Sequence, residues 1–322
     1  MNPDVAVILV AHRDYATLEL AVTGFCDLVA ARRQVVFVDN GSADGLGNRL
    51  KRRFPEITVL RLERNLHYCG GNNAGLRWAM EQGFPFALVV NPDTEVVETG
   101  FIDTLMESAA RWPRVAFFGP LVWYRERGRP QNTIFPFPNL SHYLLSWLPE
   151  HTWRQHKKIV VPNEGNCDFL NGVCVLVRLA ALRDFGLLDE VMGGYVEDGD
   201  WAYRARQRGW LSRYVPIESV IHHEELTGYA HHDLKSFMLK RNTVYWFLKH
   251  GKPFSARFYA AASELLARLR LWEAGPEEKP LYAHFLNRLK AVHRHLLRGE
   301  EPGDWFGPPL GSWQPPRRGG AP

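Results

Sequence analysis

Little in this sequence is extreme. Its four cysteines, Cys26, Cys69, Cys167 and Cys174, form no CxxC pair among 322 residues, which excludes a zinc ribbon and a disulfide framework and leaves reduced thiols as the expectation. No apolar run reaches the roughly 20 residues of a spanning helix. The opening Asn2-Pro3-Asp4 lacks the basic region of a secretory signal, so a cytoplasmic protein is expected. An excess of one charge is missing too: 39 Lys and Arg against 35 Asp and Glu leave only +4, too little for a nucleic-acid coat. Neither GxxxxGK[ST] nor GxGxxG occurs, which removes the usual NTPase and dinucleotide signatures. What remains is an ordinary globular composition, 46% hydrophobic and 23% charged, long enough for one large α/β domain or two unequal ones.

The hydrophobic pattern sets the fold class. Val5–Val10, Val35–Val38 and Phe86–Val90 are short apolar runs rich in β-branched residues, as in strands covered on both faces of a parallel sheet. Between the first two, Leu18, Ala21, Val22, Phe25, Leu28 and Val29 recur at helical spacing. The alternation continues through a predicted helix at Leu46–Phe54, a strand at Ile57–Leu62 and a helix at Asn72–Gln82. Later come a strand at Val173–Val177, helices at Leu179–Phe185 and Asp198–Arg208, and two short strands at Leu211–Val215 and Val220–His222. Trp123–Gly165 loses all period and reads as a long loop beside the active face. Beyond His232 the chain turns helical, and between Lys235 and Arg270 eight Lys or Arg face a single Glu. Such a basic amphipathic stretch either lies peripherally on an anionic membrane surface through 235–272 or packs on the main domain. Residues 299–322, with six Gly and six Pro, read as a flexible tail. The expected domains are 1–232, 233–298 and that tail.

Five clusters carry chemistry. Asp39 ends a strand in Val38-Asp39-Asn40-Gly41-Ser42-Ala43-Asp44, where a carboxylate either accepts a base or ribose hydrogen bond or organises the turn before a helix capped by Asp44. Asn65 to Gly75 is a Gly- and Asn-rich turn, whose Gly70 and Gly71 would let the backbone approach a diphosphate at a helix N-terminus. Asn91-Pro92-Asp93 closes a buried strand. There the Asp93 carboxylate can hold a divalent cation, Mn²⁺ or Mg²⁺, across two phosphates, although an Asx-Pro turn is the bland alternative. Glu197, Asp198 and Asp200 crowd one helix start. Helix termini tolerate acids, but crowded carboxylates also raise one another's pKa toward the range of a general base. Finally, His222 and His223 precede Glu224 and Glu225, with Thr227 standing where HExxH would place its second histidine. One of the histidines here, with His231 and His232 nearby, could complete a site begun by Asp93.

In this order, VDNGSAD, NLHYCGGNNAG, NPDTE, LNGVCVLVR and YVEDGDWAYRARQRGW followed by a histidine resemble the family 2 inverting glycosyltransferases, especially their rhamnosyltransferase-like branch. The resemblance implies a GT-A, Rossmann-like α/β fold, a mostly parallel central sheet flanked by helices, here with a C-terminal helical appendage. It also implies that Asp39 binds the donor base, with Ala11 and Arg13 lining its pocket, and that Asn65, Gly71 and Asn72 follow the ribose and diphosphate. Asp93 would match the last acid of the metal-binding DxD, His222 the later metal ligand, and Asp198 the base, with Glu197 or Asp200 able to replace it. Asn91 stands where many members carry the first Asp, so it brings no charge to a metal. Members with NPD point to a dTDP-rhamnose donor. The implied partners are a dTDP- or UDP-linked sugar and a glycan or lipid-linked acceptor, with no nucleic acid. A nucleotidyltransferase would need a Gly-rich basic loop after the first strand, where Val10-Ala11-His12-Arg13-Asp14 stands instead. A sugar-nucleotide-binding scaffold without turnover is the reading that Asn91 keeps open.

Overall fold

The structure is a computed structural model that describes residues 4–13, 16–124, 129–141, 163–223 and 232–300. Trp147, Glu224, Glu225, His231, the side chain of His232 and residues 301–322 of the expected tail lie outside the described residues. The chain forms two compact units, Met1–Leu239 and Lys240–Pro322.

The first unit is a mixed sheet with helices against it. β1 (Val5–Ala11), β2 (Val35–Asp39) and β4 (Phe86–Val90) are buried almost throughout, which is why they read as continuous apolar runs. With β3 (Thr58–Arg61) they pair in parallel in the order β3-β2-β1-β4. α1 (Leu18–Cys26) turns Leu18, Ala21, Val22 and Phe25 into the core, and α2 (Leu46–Arg53) contributes Leu46 and Leu50.

Beyond β4 the sheet changes sense. β11 (Cys174–Arg178) runs antiparallel between β4 and β6 (Val115–Tyr124), and β12 (Leu211–His222) lies parallel to β6. β5 (Thr94–Val96) and β9 (Gly165–Cys167) pair antiparallel with β12. The two short strands expected at the end of this unit are therefore one strand, whose register against β6 shifts between Tyr214 and Glu218 and again before Val220. Pro216 sits in that irregular stretch and hides its continuity from a period-2 reading. α4 (Phe101–Arg111) precedes β6 and buries Phe101, Ile102, Leu105 and Ala109. The stretch read as a loop after Trp123 also holds structure: β7 (Arg129–Pro130) pairs with the end of β6, and β8 (Ile134–Phe135) pairs with β10 (Phe169–Leu170). Strands of two residues leave no period to detect.

α3 (His67–Glu81) corrects a second expectation. The helix begins at His67, not Asn72, so Gly70, Gly71 and Asn72 are helical and buried. A Cβ on Gly71 would lie 2.4 Å from Val10 Cγ1, and one on Gly75 would lie 2.5 Å from Ile8 Cγ2. These glycines let the helix sit close on β1.

In the second unit the helices Pro253–Glu273 and Lys279–Leu297 pack side by side. Ala256, Tyr259, Ala260, Ser263 and Ala267 are buried on one, and Leu286, Leu289, Val292 and Leu296 on the other. His293 Nδ1 lies 3.0 Å from Glu264 Oε1 across that contact. Among the described residues, no helix is long and apolar enough to cross a membrane.

Candidate active site

The carboxyl ends of β1, β2 and β4 come together where the strand order reverses about β1, the usual ligand position of an open α/β sheet. At the end of β2, Asp39 faces its own loop. Its Oδ1 accepts from the Ser42 N–H at 3.0 Å and from the Ser42 hydroxyl, and Oδ2 accepts from the Gly47 N–H at 3.0 Å. Three of roughly four acceptor positions of this carboxylate therefore organise the turn into α2. Asn40, which the sequence reading passed over, joins this loop to α3: its Oδ1 accepts from Leu66 N and its Nδ2 donates to His67 O, both at 2.9 Å. Asn65 Oδ1 accepts from His67 N at 2.8 Å, Asn72 Nδ2 donates to Tyr68 O at 2.9 Å, and Ala11 is buried while Arg13 is exposed. Asn72 thus bonds within its own helix.

Asn91, Asp93 and His222 form one cluster where β4 and β12 end. His222 Nε2 lies 3.3 Å from both Asp93 Oδ1 and Asn91 Nδ2, and its Nδ1 lies 3.0 Å from Gln131 Oε1. With Nδ1 engaged by that amide oxygen, Nε2 is the ring nitrogen that faces Asp93 and Asn91. Asp93 is only 1% exposed, and neither of its carboxylate oxygens has a hydrogen-bond partner. A buried carboxylate left in that state is costly unless a cation shares it. Among the described residues no three His, Cys, Asp or Glu side chains gather into a group that could hold a metal ion. Asp93 and His222 are a carboxylate and an imidazole side by side, donor types that could hold a divalent ion whose remaining positions go to water and phosphate oxygens. His223 is separate, with Nε2 3.2 Å from Glu95 Oε2.

The three acids take three different positions. Tyr195 and Val196 both hold positive φ, 66° and 72°, before the Glu197–Gln207 helix. That conformation is uncommon for any side chain and a clear outlier for a β-branched one. Asp200 turns away from the site: it is fully buried, and its Oδ2 accepts from Arg204 Nε at 2.8 Å while Arg204 also donates to Phe185 O and Leu187 O. Glu197 is buried with Oε2 unpartnered, and burial first, then the neighbouring Asp198 charge, pushes its carboxyl well above the usual range. Asp198 is partly exposed, and its Oδ2 accepts from the Gly172 N–H at 2.8 Å. Burial raises its pKa to about 7 against the lowering effect of that hydrogen bond.

Further bonds from Tyr68, Asn73 and the backbone fix this half of the site. Gly172 also accepts, through its carbonyl, from the Tyr68 hydroxyl at 2.9 Å. Asn91 N donates to Val173 O at 2.9 Å, so the cluster at the end of β4 and the peptide holding Asp198 are adjacent. Asn73 Nδ2 and Oδ1 clamp Leu188 O and N at 2.9 and 3.0 Å, and Cys69 N donates to Gly193 O at 3.0 Å, fixing the loop before Glu197 onto α3. The Gly-Asn segment thereby serves both halves. Trp123 and Tyr124, read from the sequence as the start of a loop beside the active face, end β6, and the Tyr124 ring stacks on His222 with centroids 6.4 Å apart.

Residues 6–185 match the family model described as Glycosyl transferase family 2. The N-acetylglucosaminyl-diphospho-decaprenol L-rhamnosyltransferase of Mycobacterium tuberculosis is 33% identical over 242 residues, which cover 66% of this chain and 76% of the relative. The low-salt glycan biosynthesis hexosyltransferase Agl10 of Haloferax volcanii is 23% identical over 256 residues, 76% of this chain and 78% of its own. Among solved structures, the mannosyltransferase PcManGT from Pyrobaculum calidifontis, in complex with GDP-Man and Mn²⁺, superposes with a TM-score of 0.52 at 13% identity, covering 94% of this chain and 89% of that one. GalNAc-T7 with UDP, GalNAc and Mn²⁺ gives 0.56 at 15% identity over 93% of this chain and 58% of that one. At such identities the likeness is one of fold, and it bears out the GT-A architecture.

Proposed function

The chain belongs to glycosyl transferase family 2 and is a glycosyltransferase, and on that premise we propose that it moves a sugar, rhamnose, with inversion from a dTDP- or UDP-linked donor to a hydroxyl of a glycan or lipid-linked acceptor. The single observation that carries the reading is Asp198, a partly exposed carboxylate held by the Gly172 N–H, whose pKa burial raises to about 7. A base so poised is ionised in a substantial fraction at neutral pH and still basic enough to take a hydroxyl proton. The rhamnosyl donor and lipid-linked acceptor are supported by the named activity of the 33% identical relative.

In this reading Asp198 accepts the acceptor proton as the hydroxyl attacks the anomeric carbon in line with the departing nucleoside diphosphate. Glu197, buried and pushed toward its neutral form, spares the site a second negative charge. Asp200 positions the helix through Arg204 and takes no part in proton transfer. Asp39, with Ala11, Arg13, Asn65, Gly70, Gly71 and Asn72, shapes the pocket for the base, ribose and diphosphate, chiefly by fixing the backbone. A divalent ion held by Asp93 and His222 would neutralise charge on the diphosphate, with Asn91 beside it as an uncharged neighbour. A cytoplasmic location, peripheral to the inner face of a membrane, suits such an acceptor.

The test is release of nucleoside diphosphate from a panel of nucleotide sugars with a prenyl-diphosphate-linked acceptor, with Mn²⁺, Mg²⁺ or chelator. Turnover of dTDP-rhamnose above all other donors is expected. Turnover confined to a different donor overturns the rhamnose assignment, and nucleotide binding without turnover of any donor overturns the transfer reading.

A further inference from the structure

The helix Pro253–Glu273 has two apolar faces and only one of them is covered. Ala256, Tyr259, Ala260, Ser263 and Ala267 are buried, whereas Phe254, Phe258, Leu265, Leu269 and Trp272 are 45–80% exposed. At 100° per residue those five fall within one narrow stripe on the side opposite the buried set. Soluble proteins seldom leave such a run of large side chains in water without a partner. Arg257 and Arg268 are exposed along one edge of the stripe. The compact unit around it is basic as a whole, with twelve Lys and Arg against five Glu from Lys240 to Glu300. The sequence left the entire stretch 235–272 open to membrane contact. The structure narrows it, since Phe237, Met238, Val244, Trp246 and Phe247 are buried.

We propose that this stripe seats the protein in the interface of an anionic lipid bilayer, with Phe254, Phe258, Leu265, Leu269 and Trp272 among the upper acyl chains and Arg257 and Arg268 at the phosphates. Charge decides for lipid over a second copy of the chain. A twofold contact would press this basic unit against an equally basic one, whereas an anionic leaflet complements it. Insertion is interfacial, because no described helix can span. The inference extends the reading of a lipid-linked acceptor but stands on this face alone.

The test is flotation of the full chain with vesicles of phosphatidylcholine containing 30% or no phosphatidylglycerol, at low and high salt, together with sedimentation in the absence of lipid. Binding to the anionic vesicles that weakens with salt is expected. Arg257→Gln with Arg268→Gln should lower partitioning about 25-fold, at about fivefold per basic residue. Phe258→Ser with Trp272→Ser should lower it roughly 100-fold or more. Both pairs lie on the surface, so unchanged thermal unfolding and unchanged nucleotide affinity by calorimetry are expected and separate this proposal from the transferase reading. No flotation, flotation indifferent to both pairs, or a dimer dissolved by Phe258→Ser with Trp272→Ser overturns the proposal.

Discussion

Tyr68 and Asp198 hold the same glycine from opposite sides: the Tyr68 hydroxyl donates to Gly172 O at 2.9 Å, and Gly172 N donates to Asp198 Oδ2 at 2.8 Å. Only glycine fits between them, since a Cβ there would stand 2.0 Å from Tyr68 Oη and 2.9 Å from Asp198 Oδ1. The proposed base is thus aimed by a backbone group that is itself pinned by a phenol.

Tyr68→Phe frees that residue and weakens the bond that lowers the Asp198 pKa. The acid limb of kcat/KM, expected near pH 7, should move to higher pH while KM for the donor stays. Asp198→Asn should lower kcat by about 10³-fold, the usual worth of a general base, with donor affinity by calorimetry preserved. An unmoved limb in Tyr68→Phe would remove Tyr68 from the positioning of Asp198.

Stability and activity should respond to pH in opposite directions. The folded Asp198 pKa lies above its ordinary 3.8, at about 7, and Glu197 is raised as well. Folding therefore favours the protonated forms: their contribution is fully present below about pH 4 and is lost as pH rises toward and through 7. Native Tm should fall along that path by more than the Asp198→Asn Tm does, and the variant should be the more stable of the two at pH 8. Parallel curves in thermal scans from pH 4 to pH 8 would count against this.

Asp93→Asn should abolish the dependence of nucleoside diphosphate affinity on Mn²⁺, and His222→Ala should reduce it, both read by titration calorimetry with and without chelator. Removing one of two protein ligands leaves the ion mostly to water and phosphate. Equal affinity in native protein with and without the ion would assign the buried Asp93–His222 pair to a shared proton instead.

Asp200 answers a different assay. Asp200→Asn leaves Arg204 with a neutral partner in a buried setting, and breaking such a pair typically costs about 3 to 5 kcal/mol. Chemical denaturation should show that loss, while kcat at a temperature where the variant is folded should fall less than tenfold. A loss comparable to that of Asp198→Asn would restore Asp200 to the chemistry.

Much of this was legible in the residues. β1, β2 and β4 announce themselves because both faces are buried, and the Asp93, Glu197, Asp198 and His222 clusters stand out by type and place. β6 did not, because Gly119 and Pro120 interrupt its apolar run, although the helical spacing of Phe101, Ile102, Leu105 and Ala109 before it was there to be found. A sequence cannot say whether a glycine is kept for positive φ or for the absence of a side chain. Gly70 and Gly71 look like a turn and are instead places where α3 needs room. Nor could adjacent acids be ranked before Arg204 was seen to occupy Asp200. Gln131, buried against His222, lay in a stretch with no period at all.

The antiparallel placement of β11 against β4 has a consequence for the order in which the protein assembles. Val90 pairs with Cys174 and Asn91 with Val173, so the two halves of the pocket meet only after the chain between them has been closed into a loop. The parallel strands β1 to β4 can associate from neighbouring segments, but the peptide that aims Asp198 depends on this distant partner. Distant pairing bears its loop entropy before any contact rewards it. The chemistry should therefore appear late in refolding, behind the recovery of helical signal.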